Sequence, residues 1–318
     1  MSDWELLAKN HICGRDWTTI RKRWILASTG FELDDVLDVS EALEPIVGPG
    51  FETRDKVTVI EFPGRHLAAF GDGVTALLKC AYVLRTVCNC LLSGQPTWAS
   101  VDAYHFSFIA ARALLAFLGI HFVQVTDTYC ILDVFPEGLS DQETLKFRRG
   151  NPSAREPARL IFRSRSSIIE QRAIWTILVR TLRVAKLSEI VKRDIEKICK
   201  LGEGFGRIRN ELLYRNAAWL YDEDFQQPSR DVVINDDIHS YDDLVNFFAE
   251  QRDANFAFAA IFARVLIALV EDIRADSESE FLKSSYVPCL TRFSGFGVSA
   301  LDSLFETMYR KDSYGISI

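Results

Sequence analysis

Apolar positions recur at helical spacing along most of the chain, and nine segments carry the pattern. They run roughly from Asp16 to Ser28, Asp34 to Ile46, His66 to Leu92, Ser100 to Leu118, Ser166 to Lys186, Ser188 to Lys200, Arg207 to Tyr221, Ser240 to Arg274 and Ser299 to Arg310. Two have start signals: Ser240 stands ahead of Asp242 and Asp243, whose charge suits a helix N-terminus, and Gln95-Pro96 breaks the chain before the helix through Tyr104. Strand patterning is confined to Val57–Phe62 and to His121–Val125 with Tyr129–Phe135. The last two are joined by Thr126-Asp127-Thr128, which fits a hairpin turn. The sum predicts a mainly α fold, an antiparallel helical bundle with a small β-hairpin insertion.

With 318 residues, 48% of them hydrophobic and 12% aromatic, the chain has the means to bury a sizeable core. Its most apolar runs, Phe106–Val125 and Phe256–Val270, each carry an interior arginine, Arg112 and Arg264, and fall short of the ~20 uninterrupted apolar residues of a membrane span. They read as buried helices. No basic segment leads into an apolar one near Met1, so the expected location is the cytoplasm. Seven cysteines, Cys13, Cys80, Cys88, Cys90, Cys130, Cys199 and Cys289, lie in apolar surroundings and suit reduced core thiols better than a disulfide framework. Cys88-Asn89-Cys90 lacks zinc-ligand spacing, and no second pair completes it. Neither a metal nor a cofactor is expected.

Charge changes the picture. From Lys146 to Arg215 there are 18 Lys or Arg against 7 Asp or Glu, a net of +11 inside a chain whose total is −7. A basic block of this kind fits a polyanion, because neutralising phosphates releases counterions. It equally fits pairing with the acidic flanks Asp222-Glu223-Asp224, Asp236-Asp237 and Asp242-Asp243, within one molecule or across a dimer. Candidate linkers are Phe147–Glu156 and Gln226-Gln227-Pro228-Ser229.

Within the basic block a glycine-rich stretch, Gly202-Glu203-Gly204-Phe205-Gly206, precedes Arg209-Asn210-Glu211-Leu212-Leu213-Tyr214. On a helix, Arg209, Asn210 and Tyr214 would project from adjacent parts of one surface. This resembles the signature of HEPN ribonucleases, an arginine, often an asparagine, then four to six residues to a histidine, with Tyr214 in the histidine's place. The alanine- and aromatic-rich segment Ala103–Ile120 is similar to the helix that precedes the motif helix in many HEPN bundles. The resemblance covers about Phe62 to Tyr221. It implies a HEPN-like bundle at 62–225, an N-terminal helical extension at 1–61 and a C-terminal helical region at 226–318. It further implies a homodimer in which two motifs meet to form a metal-independent RNA-cleaving site, in a prokaryotic antiviral-defence or toxin–antitoxin setting. The alternative is a catalytically inactive HEPN-like scaffold or regulatory subunit that docks a partner protein of a defence complex. A third reading has an unrelated helical fold in which the motif is coincidental, Leu212, Leu213 and Trp219 pack inward, and Arg209 pairs with an acid.

In the site the resemblance implies, Arg209 stabilises phosphate charge, Asn210 orients the site and Tyr214 takes the acid/base position. Arg207, Arg215 and His105 contribute to substrate binding. Metal-independent cleavage needs a base for the ribose 2′-hydroxyl, an acid for the leaving oxygen and positive charge for the transition state. Tyrosine, with an ordinary pKa near ~10, serves as a base at neutral pH only where cations such as Arg207, Arg209 and Arg215 converge on it. A histidine from another helix is the other source of a proton carrier, and His105, on the alanine-rich segment, is the candidate among His11, His66, His105, His121 and His239. The glycine-rich stretch has neither dinucleotide-binding nor P-loop spacing. The acidic residues from Asp222 to Asp243 match no calcium loop.

Overall fold

The computed structural model describes residues 8–12, 14–29, 31, 38–47, 57–93, 95–125, 128–150, 153, 155–162, 171–187, 189–201, 246, 249 and 254–277. In chain order these form β1 (Arg15–Asp16), α1 (Trp17–Thr29), α2 (Val39–Leu43), β2 (Val57–Glu61), α3 (Arg65–Leu92), α4 (Pro96–Phe117), β3 (Ile120–Val125), β4 (Thr128–Asp133), α5 (Asp141–Gly150), β5 (Pro157–Phe162), α6 (Gln171–Val184), β6 (Ala185–Lys186), α7 (Glu189–Leu201) and α8 (Ala254–Asp276). The fold is mainly helical with one small antiparallel sheet and a two-residue parallel bridge between β1 and β6. The helices predicted at 207–221 and 299–310, the glycine-rich stretch, the second linker and the acidic cluster lie outside the described residues.

Helix α4 is the centre of the core. Ala99, Ala103, Ala110, Ala111 and Ala113 on it are fully buried, as are Leu114 and Leu115. Small side chains let neighbouring backbones approach, and α3 and α8 pack along α4. The short connection after α3 and Pro96 at the first turn of α4 make α3 and α4 an αα-hairpin. Two polar pairs cross this core: Asn255 of α8 donates to Ser100 Oγ at 2.9 Å, and Tyr104 donates its hydroxyl to Gln171 at 2.8 Å. Trp24 of α1 is fully buried, donates Nε1–H to the Phe117 carbonyl at 2.6 Å and packs on Phe70 and Phe135. The chain leaves α4 through Gly119 at φ 80°, where an added Cβ would lie 2.6 Å from the Phe135 ring. Only glycine fits that turn.

The predicted hairpin is half of a larger sheet. β3 and β4 pair as the alternation predicts, but the strand order is β2-β5-β4-β3, antiparallel throughout. Strand β5 is the unpredicted member, and it lies between β2 and β4. Its sequence, Pro-Ala-Arg-Leu-Ile-Phe, opens on a proline and places an arginine in a run that is otherwise buried, which hides a central strand behind loop-like residues. The first candidate linker is likewise structured at both ends. Residues 147–150 finish α5, which starts with a capping box: Ser140 Oγ accepts from Glu143 N at 3.2 Å, and Glu143 Oε2 accepts from Ser140 N at 2.9 Å. Because β2 ends at Glu61 and pairs along its length with β5, the sheet crosses the boundary drawn at 61/62. On the other side of 225/226, α8 packs in the same core as α4, and Trp17 of α1 donates to Asp272 of α8 at 2.6 Å.

Among the described residues α3 is the helix long and apolar enough to cross a bilayer, over Arg65–Leu91. Half of that stretch is buried inside the protein, and it carries Asp72, which pairs with the buried His121 at 2.6 Å. Of the two apolar runs singled out from the sequence, Phe256–Val270 is a core helix, whereas Phe106–Val125 is helical only to Phe117 and ends as strand β3; the Arg264 guanidinium on α8 is held by both carboxylate oxygens of Asp194, at 2.8 and 3.0 Å.

A buried ionic group fastens the sheet to the N-terminal segment. Asp133, at the end of β4, lies 2.9 Å from Arg15 Nη2 and 3.6 Å from Arg159 Nη1, and all three side chains are within 1% of complete burial. Its other oxygen accepts from Phe135 N at 3.0 Å. Arg159 Nε donates to Glu143 at 3.1 Å and Nη1 to the His11 carbonyl at 2.7 Å. The Arg15–Asp133 contact is close but off the line of an N–H bond, and Arg15 Nε, Arg15 Nη2 and Asp133 Oδ2 have no hydrogen-bond partner among the described residues. Such a group is held together by charge and fails when one sign is removed. Asp133→Ala is expected to cost about 3–5 kcal/mol, read from the urea midpoint of the full chain, because it strands buried guanidinium charge. Arg15→Met with Asp133→Leu, which removes both signs, should recover most of that loss.

Candidate functional site

Arg207, Arg209, Asn210, Tyr214 and Arg215 lie outside the described residues. What is described is the helix that leads into them. In α7, Val191 and Ile198 are buried and Ile195 and Cys199 pack against the core, so the opposite face is left to solvent. Arg193, Lys197 and Lys200 occupy that face at spacings of four and three residues, all exposed. Lys197 comes within 3.8 Å of Asp194, whose carboxylate is already engaged by Arg264. Arg183 of α6 donates to the Cys199 carbonyl at 3.3 Å, adding a cation where the α7 dipole is negative. A row of three cations thus runs down α7 toward Leu201 and the motif segment that follows.

His105 sits on α4 with its side chain 43% exposed, its Nδ1 3.6 Å from Asp102 Oδ1 and its ring beside Tyr104. Cys90 of α3 donates its thiol to the same carboxylate at 3.7 Å. The structure therefore brings His105 together with Asp102 and Cys90 at the surface of the α3–α4 hairpin. Burial and the Asp102 charge push the Cys90 thiol up, which leaves it unreactive as a nucleophile at neutral pH. Burial raises Cys80 as well, and Cys88 and Cys130 to about 12. Among the described residues no group of three His, Cys, Asp or Glu side chains is placed to hold a metal ion.

A second cationic cluster escaped sequence reasoning. Helix α3 begins with Arg65 and His66, after Gly64 at φ 68°. The His66 ring stacks on Phe135 at 5.4 Å and 22°, and the Arg23 guanidinium of α1 lies 4.9 Å from the centre of the same ring. Arg65 is 5% exposed and donates to the Pro157 carbonyl. Burial, with Arg23 nearby, lowers its pKa to about 10. Burial first, then the charges of Arg65 and Arg23, bring His66 down to about 4, so its ring is neutral at physiological pH. The signal in the sequence is only an Arg-His pair after Pro63-Gly64; its meeting with Arg23 and Phe135 is tertiary.

No protein-family model, curated protein or solved structure matches the chain. The functional reading rests on the residues themselves.

His66 also makes stability depend on pH. Between its unfolded value of 6.5 and its folded value of about 4, the unfolded chain binds the extra proton, so stability is lost as pH falls through that window. The melting temperature of the full chain is expected to drop from pH 7 to pH 4.5, and His66→Gln should make that drop shallower; equal slopes for the two proteins would show that His66 does not titrate as its surroundings dictate.

Proposed function

We propose that this is a HEPN-like protein that binds RNA, acting in a prokaryotic defence or toxin-type role. The observation that supports the reading is the exposed row Arg193, Lys197 and Lys200 on α7, which leads along the chain into Arg207 and Arg209-Asn210-Glu211-Leu212-Leu213-Tyr214. Exposed cations at one helical face meet the phosphates of a polyanion along its backbone and supply affinity without reading sequence. The motif then supplies the chemistry. Arg209 stabilises charge on the scissile phosphate, Asn210 orients it and Tyr214 exchanges the proton, with Arg207 and Arg215 holding the phenol toward its ionised form. Two copies of the chain bring two such motifs to one site.

The second reading, a HEPN-like scaffold without catalysis that docks a partner protein, is favoured by one observation: a tyrosine stands where the resemblance calls for a histidine. It keeps the fold and gives up the cleavage step.

Gel-shift and cleavage assays with total RNA in EDTA separate the two. Arg193→Gln/Lys197→Gln/Lys200→Gln is expected to weaken RNA binding at least tenfold and to lower the slope of log affinity against log salt by about 2, at ~0.7 per lost phosphate contact on a single strand. Unchanged binding in that variant would sink the RNA-binding reading. Arg209→Ala and Tyr214→Phe should each retain binding and lose cleavage. RNA that stays intact with every protein, including the unmodified chain, leaves the scaffold reading in its place.

A further inference from the structure

We propose that Arg23, Arg65 and His66, gathered at Phe135 where α1 meets the start of α3, form a binding site for a phosphate group, separate from the cation row of α7. Among the described residues, no carboxylate lies within ion-pair distance of either Arg23 or Arg65. Arg23 is spent on an aromatic ring, and Arg65 on a backbone carbonyl. Two acids act on Arg65 at longer range, Glu156 and then Asp133; Asp133 is already shared between Arg15 and Arg159, which leaves Glu156, with Oε2 buried and unpartnered, as one carboxylate for two guanidinium groups. An anion would complete that balance.

Donors remain for such an anion. Arg65 is nine-tenths buried with Nε unpartnered, and His66 Nδ1 is buried without a partner. Arg23 and His66 are half-buried, Pro63 and Gly64 at the rim are exposed, and a Cβ added at Gly64 would meet nothing within 4 Å. Solvent thus reaches the rim of the cluster, while Arg65 Nε and His66 Nδ1 lie beneath it. Two guanidinium groups and an imidazole approaching from two helices suit the several oxygens of a tetrahedral phosphate anion. A single carboxylate is satisfied by one guanidinium fork and would leave the second unused. His66 adds a responsive element: its ring is neutral because burial and then two cations disfavour a third charge, and a bound phosphate anion offsets the charge part of that penalty. Phosphate binding and His66 protonation are therefore reciprocal, each favouring the other by the same factor.

The test uses the full chain with its histidine rings followed by NMR, the His66 signal being assigned with His66→Gln. Inorganic phosphate at millimolar concentration should raise the His66 midpoint from about 4 by at least one pH unit, which corresponds to about tenfold tighter phosphate binding by the protonated form. Arg23→Gln, on a half-exposed side chain, should raise the midpoint slightly without phosphate and weaken the phosphate response at least tenfold. A His66 signal that phosphate does not move, or a response undiminished in Arg23→Gln, overturns the site. The Arg193→Gln/Lys197→Gln/Lys200→Gln variant should keep the full response even where its RNA binding is lost; a response lost there would put the anion on α7 and overturn the proposal. An RNA oligonucleotide without terminal phosphates that also moves His66 identifies backbone phosphodiesters as the source, and a response to inorganic phosphate alone identifies a free or terminal phosphate.

Discussion

The enclosure of α4 is the constraint on which the rest of the structure depends. A helix that presents buried side chains over most of its length needs neighbours on several sides, and here α3, α8 and α6 supply them, with Trp24 of α1 closing the end near Phe117. Alanine makes this arrangement dense, because each missing side chain brings a neighbouring helix nearer. The same enclosure explains the position of the sheet. The chain must leave a buried helix end without room for a side chain, so it turns at Gly119 under Phe135 and runs straight into β3.

Charge performs a second task, since the sheet carries arginine and aspartate in its interior. A buried Arg15–Asp133–Arg159 group adds little net stability over apolar residues of the same shape, yet it tolerates no loss of one sign. It therefore selects one arrangement of β1, β4 and β5 over alternatives that would leave a charge alone. The Arg23–Arg65–His66 cluster has no carboxylate within ion-pair distance among the described residues, Glu156 and Asp133 acting on Arg65 only from farther off.

Much of the helical framework was legible in the sequence because its apolar positions recur at the helical period. α3, α4, α6 and α7 fall close to the predicted ranges, and β2, β3 and β4 follow from β-branched and aromatic runs. β5 and α5 were not legible, for a physical reason. Arg159 looks like a solvated residue until Asp133 and Glu143 are seen beside it, and the Ser140–Glu143 capping box sits in a stretch whose composition is that of a loop. At the candidate sites the balance is similar. The cation row of α7 is visible as helical spacing within a basic segment. The meeting of Arg23 with His66 is invisible, because it joins residues from two helices through an aromatic ring that belongs to neither.

The bridge of two residues between β1 and β6 has a consequence for motion. Residues 15 and 16 on one side continue directly into α1, and residues 185 and 186 on the other separate α6 from α7. Arg15 is at once a member of the bridge and a member of the buried ionic group. The bridge therefore ties the end of α6 to a strand whose Arg15 is held by Asp133. The start of the α6–α7 connection is thus moored to the sheet like a jetty, and any movement of it away from β1 draws on a buried ion pair.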